Sequence, residues 1–312
     1  MPKIAIVIPV FNGERYLDEC IRSVLGQTMQ DFQIIIGDDN SLDGSRSIIA
    51  RYCDQRMLTH FAHKNIGLFG HLNILLRYVK APLVHILCQD DVLQKECLEN
   101  ECNFFAAHND VGLIFCKGTT IDTRGRKILE SPLEDMPEVL TSRLSSQLLF
   151  YQGCIAGNLS TVCIPLKSIE RYGYFNEEYR LAGDYEMWSR ISLKSNIGVL
   201  HRHRVYVRSH PAQLSKTRHA HIRFLSERNK VFSILLSSMP ARIRRRCIIY
   251  KRFKHDIMDM HCALIRLLHG DVIDFVQYMN MIGLYGFIVT LILWVCTMNN
   301  MLYKPQCRYI YK

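Results

Sequence analysis

The sequence predicts an α/β domain with a mostly parallel central sheet flanked by helices, followed by a helical C-terminal extension. Three observations predict it. Short apolar runs alternate with segments whose apolar residues recur at helical spacing, the pattern of parallel strands joined by crossover helices. Two runs end in paired carboxylates, Asp38-Asp39 and Asp90-Asp91, at the strand ends where open α/β sheets bind ligands. The charge is also divided: residues 1–200 carry 20 Lys and Arg against 24 Asp and Glu, whereas residues 201–312 carry 19 against 5.

Residues 4–8 are continuously apolar, as expected of a strand covered on both faces. Pro9 is expected to end it, and Phe11-Asn12-Gly13 to turn the chain into a helix carrying Tyr16, Leu17, Cys20, Ile21, Val24 and Leu25. A second strand over 32–36 runs into Gly37-Asp38-Asp39, and a second helix is expected over 41–52. A strand near 58–62, a helix over about 70–79 and a strand over 83–87 complete this half. Beyond residue 99 the rhythm loosens: a helix over 98–107, a strand over 112–116, a polar turn at 123–126 and a helix over 144–151. Residues 153–165 read as strand and turn, and a helix opens at 184–188 with Met187, Trp188 and Ile191 on its apolar face. After residue 215 the chain reads as basic and helical.

A hydrophobic content of 48% with 22% charge describes an ordered globular protein. The 12 cysteines include Cys20, Cys88, Cys116, Cys163 and Cys296 within apolar segments, and none form a CxxC pair. Met1-Pro2-Lys3 leads straight into a strand pattern without a secretory signal. Reduced thiols in a cytoplasmic protein are therefore expected.

Three acidic features carry the chemistry. Asp38 and Asp39 suit an Asx turn or N-cap, and equally a carboxylate that receives hydrogen bonds from a nucleotide. Gln89-Asp90-Asp91 suits a hard divalent cation, which takes one or two protein carboxylates plus substrate phosphates, or else a solvated turn. Asp184, followed by Glu186, is either an N-cap or a general base held at a rigid helix end.

Ile-Pro-Val-Phe-Asn-Gly (8–13), Gly-Gln-Thr (26–28), Asp-Asp-Asn-Ser-Leu-Asp-Gly-Ser (38–45), Asn-Ile-Gly (65–67), Gln-Asp-Asp (89–91) and Gly-Asp-Tyr-Glu-Met-Trp (183–188) occur in this order. Together they resemble the family 2 glycosyltransferases, inverting enzymes of the GT-A fold, over roughly residues 1–215. The resemblance implies a catalytic domain over 1–215, with a nucleotide-binding half (1–98) and an acceptor half (99–215). It implies Pro9, Phe11, Asn12, Asp39, Gly67 and Asp90 at the nucleotide, with Asp39 on the base. It implies Asp91 at the cation, Mn²⁺ or Mg²⁺, and Asp184 as catalytic base. His210, in a segment through Ser215 that resembles one closing over the diphosphate, is implied as a further metal ligand.

Two departures from the family pattern matter. Leu72 stands where the family often has Arg, before Asn73, and the Gln-x-x-Arg-Trp signature of processive synthases is missing. A single-addition enzyme is expected, moving one sugar from a nucleotide-diphosphate donor to a glycan or lipid-linked acceptor in cell-surface glycan synthesis. The alternatives are a sugar-nucleotide nucleotidyltransferase, for which residues 9–14 lack a Gly-rich basic phosphate loop, and a non-catalytic membrane-docked binding module.

Residues 216–312 form the basic tail. Arg242, Arg244, Arg245, Arg246, Lys251, Arg252 and Lys254 precede an apolar segment at 281–298, and Lys304, Arg308 and Lys312 follow it. Cations on both sides suit attachment to an anionic membrane surface, peripheral on the cytoplasmic face, better than a span. No base-reading module accompanies the basic residues, so nucleic acid is not expected as a partner.

Overall fold

The computed structural model describes residues 1–131, 135–217 and 219–298. The chain divides into two units, Met1–Gln213 and the residues from Leu214 onward. The first unit begins with β1 (Ile4–Val10), α1 (Leu17–Leu25), β2 (Phe32–Asp38), α2 (Ser45–Ala50), β3 (Met57–Phe61), α3 (Leu68–Leu76) and β4 (Leu83–Ile86). It continues with β5 (Val92–Leu93), α4 (Cys97–Ala107), β6 (Val111–Ile121), β7 (Lys127–Glu130), β8 (Val139–Leu140) and α5 (Ser142–Gln152). It closes with β9 (Val162–Pro165), α6 (Leu166–Tyr172), α7 (Gly183–Ser192) and β10 (Asn196–Arg208).

One sheet runs in the order β3-β2-β1-β4-β9-β6-β10-β5, with β7 beside β6 and β8 beside β10. The strands β3, β2, β1 and β4 are parallel, as expected. The second half is mixed, because β9 inserts antiparallel between β4 and β6 while β6 and β10 remain parallel. All seven residues of β1 are buried, which explains why it shows no alternation of apolar and polar positions. Helix α1 turns Leu17, Cys20, Ile21 and Val24 onto the sheet, matching their spacing.

Three expectations need correction. Pro9 does not end β1; it pairs in register with Gly37, beyond the last residue pair that β1 shares with β4, Val7 with Ile86. Its missing N–H therefore breaks no bond to β4. Helix α2 starts at Ser45 rather than near residue 41. The Asp38 carboxylate accepts from the Ser41 N–H and the Asp43 carboxylate from the Ser45 N–H, holding 41–44 as turn. Strand β6 runs to Ile121, well past residue 116. Cys20, Cys88, Cys116 and Cys163 of the apolar segments are free thiols.

The second unit is helical: α8 (Ala220–Ser237), α9 (Ala241–Tyr250), a π-helical turn (Lys251–Asp256), α10 (Ile257–Leu268) and α11 (Val272–Met298). Its core gathers Ile222, Leu225, Met260, Ala263 and Tyr278, and Asp274 joins Arg266 at 2.7 Å. Within α11 the backbone leaves helical geometry at Gly283, with φ 70°. The segment Val272–Val295 is long and apolar enough to cross a membrane, and little of it is buried.

Candidate active site at the sheet edge

The carboxyl ends of β1, β2 and β4 carry three loops that are tied to one another by side chains. Asn12 takes a left-handed conformation, and its side-chain oxygen accepts from the Leu42 N–H. The Asn12 and Gly13 N–H groups donate to the hydroxyls of Ser41 and Ser45. Gln89 binds both sides of Phe11: its Oε1 accepts from the Phe11 N–H at 2.8 Å, and its Nε2 donates to the Phe11 carbonyl at 2.9 Å. A Cβ on Gly13 would lie 2.3 Å from Gln89 Oε1, so this close approach requires glycine there. The loop after β1 thus leaves Phe11 and Asn12 exposed while Pro9 stays buried in the sheet.

Asp38 and Asp39 are both buried. Asp38 accepts from the Ser41 N–H and from Arg46 Nε at 2.6 Å. Asp39 accepts from the N–H groups of Ile66 and Gly67 and so fixes the Asn65-Ile66-Gly67 segment at the start of α3. From α3, Asn73 ties down the stretch before α7: its amide donates to the Phe175 carbonyl and Glu177, and its oxygen accepts from the Phe175 N–H. A Cβ on Gly183 would lie 2.5 Å from the Phe69 ring, which glycine alone accommodates. Leu72, at the position where the family often has Arg, is fully buried.

At the end of β4, Asp91 is 1% exposed. Its Oδ1 accepts from the Arg208 N–H at 2.8 Å and its Oδ2 from Asn158 Nδ2 at 3.2 Å. Burial first, and the neighbouring Asp90 second, push its carboxyl up to about 7. Asp90 receives His210 Nε2 at 2.9 Å, so the structure brings His210 to the acidic pair through Asp90. The same like-charge burden reaches Cys88, whose thiol is raised well above its ordinary value by burial, then Asp91 and Asp90, with Asp184 contributing. Asp184 lies half-buried in the first turn of α7, where Ala182 is the N-cap; its own carboxylate accepts from the Tyr185 N–H.

These observations bear on a cation. One ligating atom from each of Cys88, Asp90 and Asp91 lies within 4.8 Å of the others. The two carboxylates suit a hard divalent ion, and a buried carboxylate raised by a like charge is the group such an ion relieves; the Cys88 sulfur is too soft to favour Mg²⁺.

Sequence reasoning missed Arg208. Its guanidinium, 1% exposed, reaches Glu19 Oε2 at 2.6 Å, the Asp90 carbonyl at 2.9 Å and the Asp122 carbonyl at 3.1 Å, and lies 4.5 Å from the Tyr16 ring centroid. Only its position beside Ser209-His210 hinted at this. Asn158 was missed as well. A cavity of about 370 Å³ opens next to it, lined also by Lys117, Thr120, Gln152, Cys154 and Thr161. Asn158, which donates to Asp91 Oδ2, lines this cavity, so the cavity adjoins the acidic pair.

A family model described as glycosyl transferase family 2 matches residues 5–163. The chain is similar to an uncharacterized glycosyltransferase of Rickettsia typhi, 27% identical over 220 residues, which cover 69% of this chain and 67% of that protein. It is also similar to the chondroitin synthase of Escherichia coli, 24% identical over 193 residues, 62% of this chain and 27% of the synthase. Among solved structures, S. aureus TarS 1-349 in complex with UDP matches with a TM-score of 0.62 and 19% identity, over 78% of this chain and 69% of that one. The same protein in complex with UDP-GlcNAc matches with a TM-score of 0.61 and 16% identity, over 89% and 90%. At such identities the likeness is one of fold.

Proposed function

Since the chain belongs to glycosyl transferase family 2 and has the GT-A fold, we propose that it moves one sugar from a nucleoside-diphosphate donor to an acceptor hydroxyl by a single inverting displacement. The observation that carries this reading is the meeting of Asp90 and Asp91 at Cys88, beside a cavity and loops laced together at the sheet edge.

In this reading Phe11 and Asn12, held by Gln89 and Ser41, line the nucleotide, with Pro9 as the buried footing of their loop. Asp39, which accepts from the Gly67 N–H, is assigned to the base, and Asp90 to the ribose and diphosphate side. Asp91 and Asp90 would hold Mn²⁺ or Mg²⁺, with His210 supporting them through Asp90. The cation, when bound, stabilises negative charge on the leaving nucleoside diphosphate. Asp184 takes the proton from the acceptor hydroxyl as that oxygen attacks the anomeric carbon opposite the leaving group. The cavity by Asn158 and Cys154 receives the acceptor, and Lys117, Thr120, Gln152 and Asn158 in its mixed lining suit a hydroxyl-rich glycan.

The similarity to a chondroitin synthase supports a role in cell-surface glycan synthesis. The second unit supports a membrane-proximal acceptor. Arg242, Arg244, Arg245 and Arg246 are exposed on α9, and Leu284 and Tyr285 are exposed just past the break at Gly283. Cations on both sides of the apolar segment in sequence suit its lying at an anionic cytoplasmic surface better than crossing it.

Donor hydrolysis screened across UDP-, GDP- and dTDP-sugars with Mn²⁺ tests the activity. One donor should be turned over, and Asp184→Asn, folded as judged by circular dichroism, should lose transfer by about 10²–10⁴-fold. Full activity in that variant would remove Asp184 from the reaction.

A further inference from the structure

A second group of ligating side chains lies in the core of the first unit, and the transfer reaction leaves it unused. Cys97 and Glu101 stand one turn apart on the buried face of α4. His85 of β4 and Cys163 of β9 are direct partners across antiparallel strands, so their side chains leave the same face of the sheet. Glu101 is the meeting point. Its Oε1 lies 2.8 Å from His85 Nδ1 and 3.7 Å from Cys97 Sγ, and Cys163, the cross-strand partner of His85, brings a second sulfur to the same face of the sheet. His85, Cys97 and Cys163 are 0% exposed and Glu101 is 1% exposed.

Two features point beyond a hydrogen-bonded ion pair. Ligating atoms of His85, Cys97 and Glu101 all lie within 4.8 Å of one another, close enough for one ion to reach all three. His85 Nε2 and Glu101 Oε2 are buried without a hydrogen-bond partner, which is costly for polar atoms in a core. These three ligands, an imidazole, a thiol and a carboxylate, with the Cys163 sulfur on the same sheet face as the candidate fourth, are the borderline-soft kind that selects Zn²⁺ and its tetrahedral geometry over Mg²⁺ or Mn²⁺.

We propose that His85, Cys97, Glu101 and Cys163 form a structural site for Zn²⁺, separate from the divalent site at Asp90 and Asp91. On binding, the ion displaces the two thiol protons to solvent, and two thiolates with one carboxylate offset its charge. The site clamps α4 to β4 and β9, where the parallel half of the sheet meets the mixed half.

The test uses the full chain expressed in zinc-supplemented or cobalt-supplemented medium and washed with chelator before metal analysis. The expected result is about one zinc per chain, and a thiolate-to-cobalt charge-transfer band in the cobalt form. Zinc content should fall about tenfold in Cys97→Ser and Cys163→Ser and stay unchanged in Asp91→Asn, which separates this site from the sheet-edge one. Folded wild-type chain with less than about one tenth of a zinc per chain and no charge-transfer band overturns the proposal. So does zinc content unaffected by both serine variants. Should the variants fail to fold, the wild-type zinc content and cobalt spectrum decide by themselves.

Discussion

Asp38-Asp39 close strand β2 and Asp90-Asp91 lie in the turn between β4 and β5, two carboxylate pairs at the same edge of the sheet whose surroundings differ. Asp38 is met by an arginine and a backbone amide, and Asp39 by two backbone amides that hold the 65–67 segment. Asp91 has one backbone amide, one asparagine amide and a like charge beside it, and its carboxyl rises to about 7. In the first pair Asp38 leaves its buried Oδ1 without a hydrogen-bond partner, but its Oδ2 carries the Arg46 guanidinium, and Asp39 is supplied by the 65–67 segment. The second keeps an unmet demand for positive charge, and that demand, rather than the acidic pair itself, marks a cation site.

Substitution separates the two pairs most sharply. Asp91→Asn should lower kcat by about 10²–10³-fold while leaving the melting temperature unchanged or higher, because it removes a buried like charge. Asp39→Asn should do the opposite in stability, costing about 1–3 kcal/mol by weakening a charged acceptor of two amides, and should raise KM for the donor. Equal effects of both substitutions on stability would erase the distinction.

The pH dependence of folding is the next test. The carboxyl of Asp91 is raised from 3.8 to about 7 in the folded chain, which therefore keeps a proton that the unfolded chain has released between these values. Stability contributed by this residue falls as pH rises through that window, by about 4 kcal/mol at most, and the cost is fully present above pH 7. Denaturant unfolding at pH 5 and pH 8 should show roughly 2–3 kcal/mol of this loss in wild type and none in Asp91→Asn. Mn²⁺ at pH 8 should recover part of it.

A smaller effect is expected at the tie between the two regions. Gln89→Ala removes two hydrogen bonds to Phe11 and should cost about 1–2 kcal/mol, with KM for the donor rising and kcat little changed. Unaltered donor affinity would mean that the Phe11 loop is held without Gln89.

Much of the first half was legible because its signals are local. Residues 4–8 are buried on both faces and so are apolar throughout, residues 32–36 nearly so with only Gln33 polar and half-buried, and α1 shows its buried stripe at 17, 20, 21 and 24. The acidic motifs could be placed at strand ends for the same reason. What escaped depends on partners far away in sequence. Nothing near β9 shows that it inserts antiparallel between β4 and β6, and nothing near Arg208 shows that it meets Glu19, 189 positions earlier. Pro9 misled because its usual meaning as a strand breaker holds only where a neighbouring strand needs its N–H. The Asp38 and Asp43 carboxylates held back α2 through backbone bonds that apolar periodicity cannot register.

The contrast between the two acidic pairs is tested most directly by Mn²⁺ binding, followed by electron paramagnetic resonance with a saturating nucleoside diphosphate present. Asp39→Asn should bind Mn²⁺ as wild type does once the nucleotide is saturating, and Asp91→Asn should lose binding by about 10–100-fold. Wild-type Mn²⁺ affinity in Asp91→Asn, or its loss in Asp39→Asn alone, would contradict the assignment of the cation to Asp91.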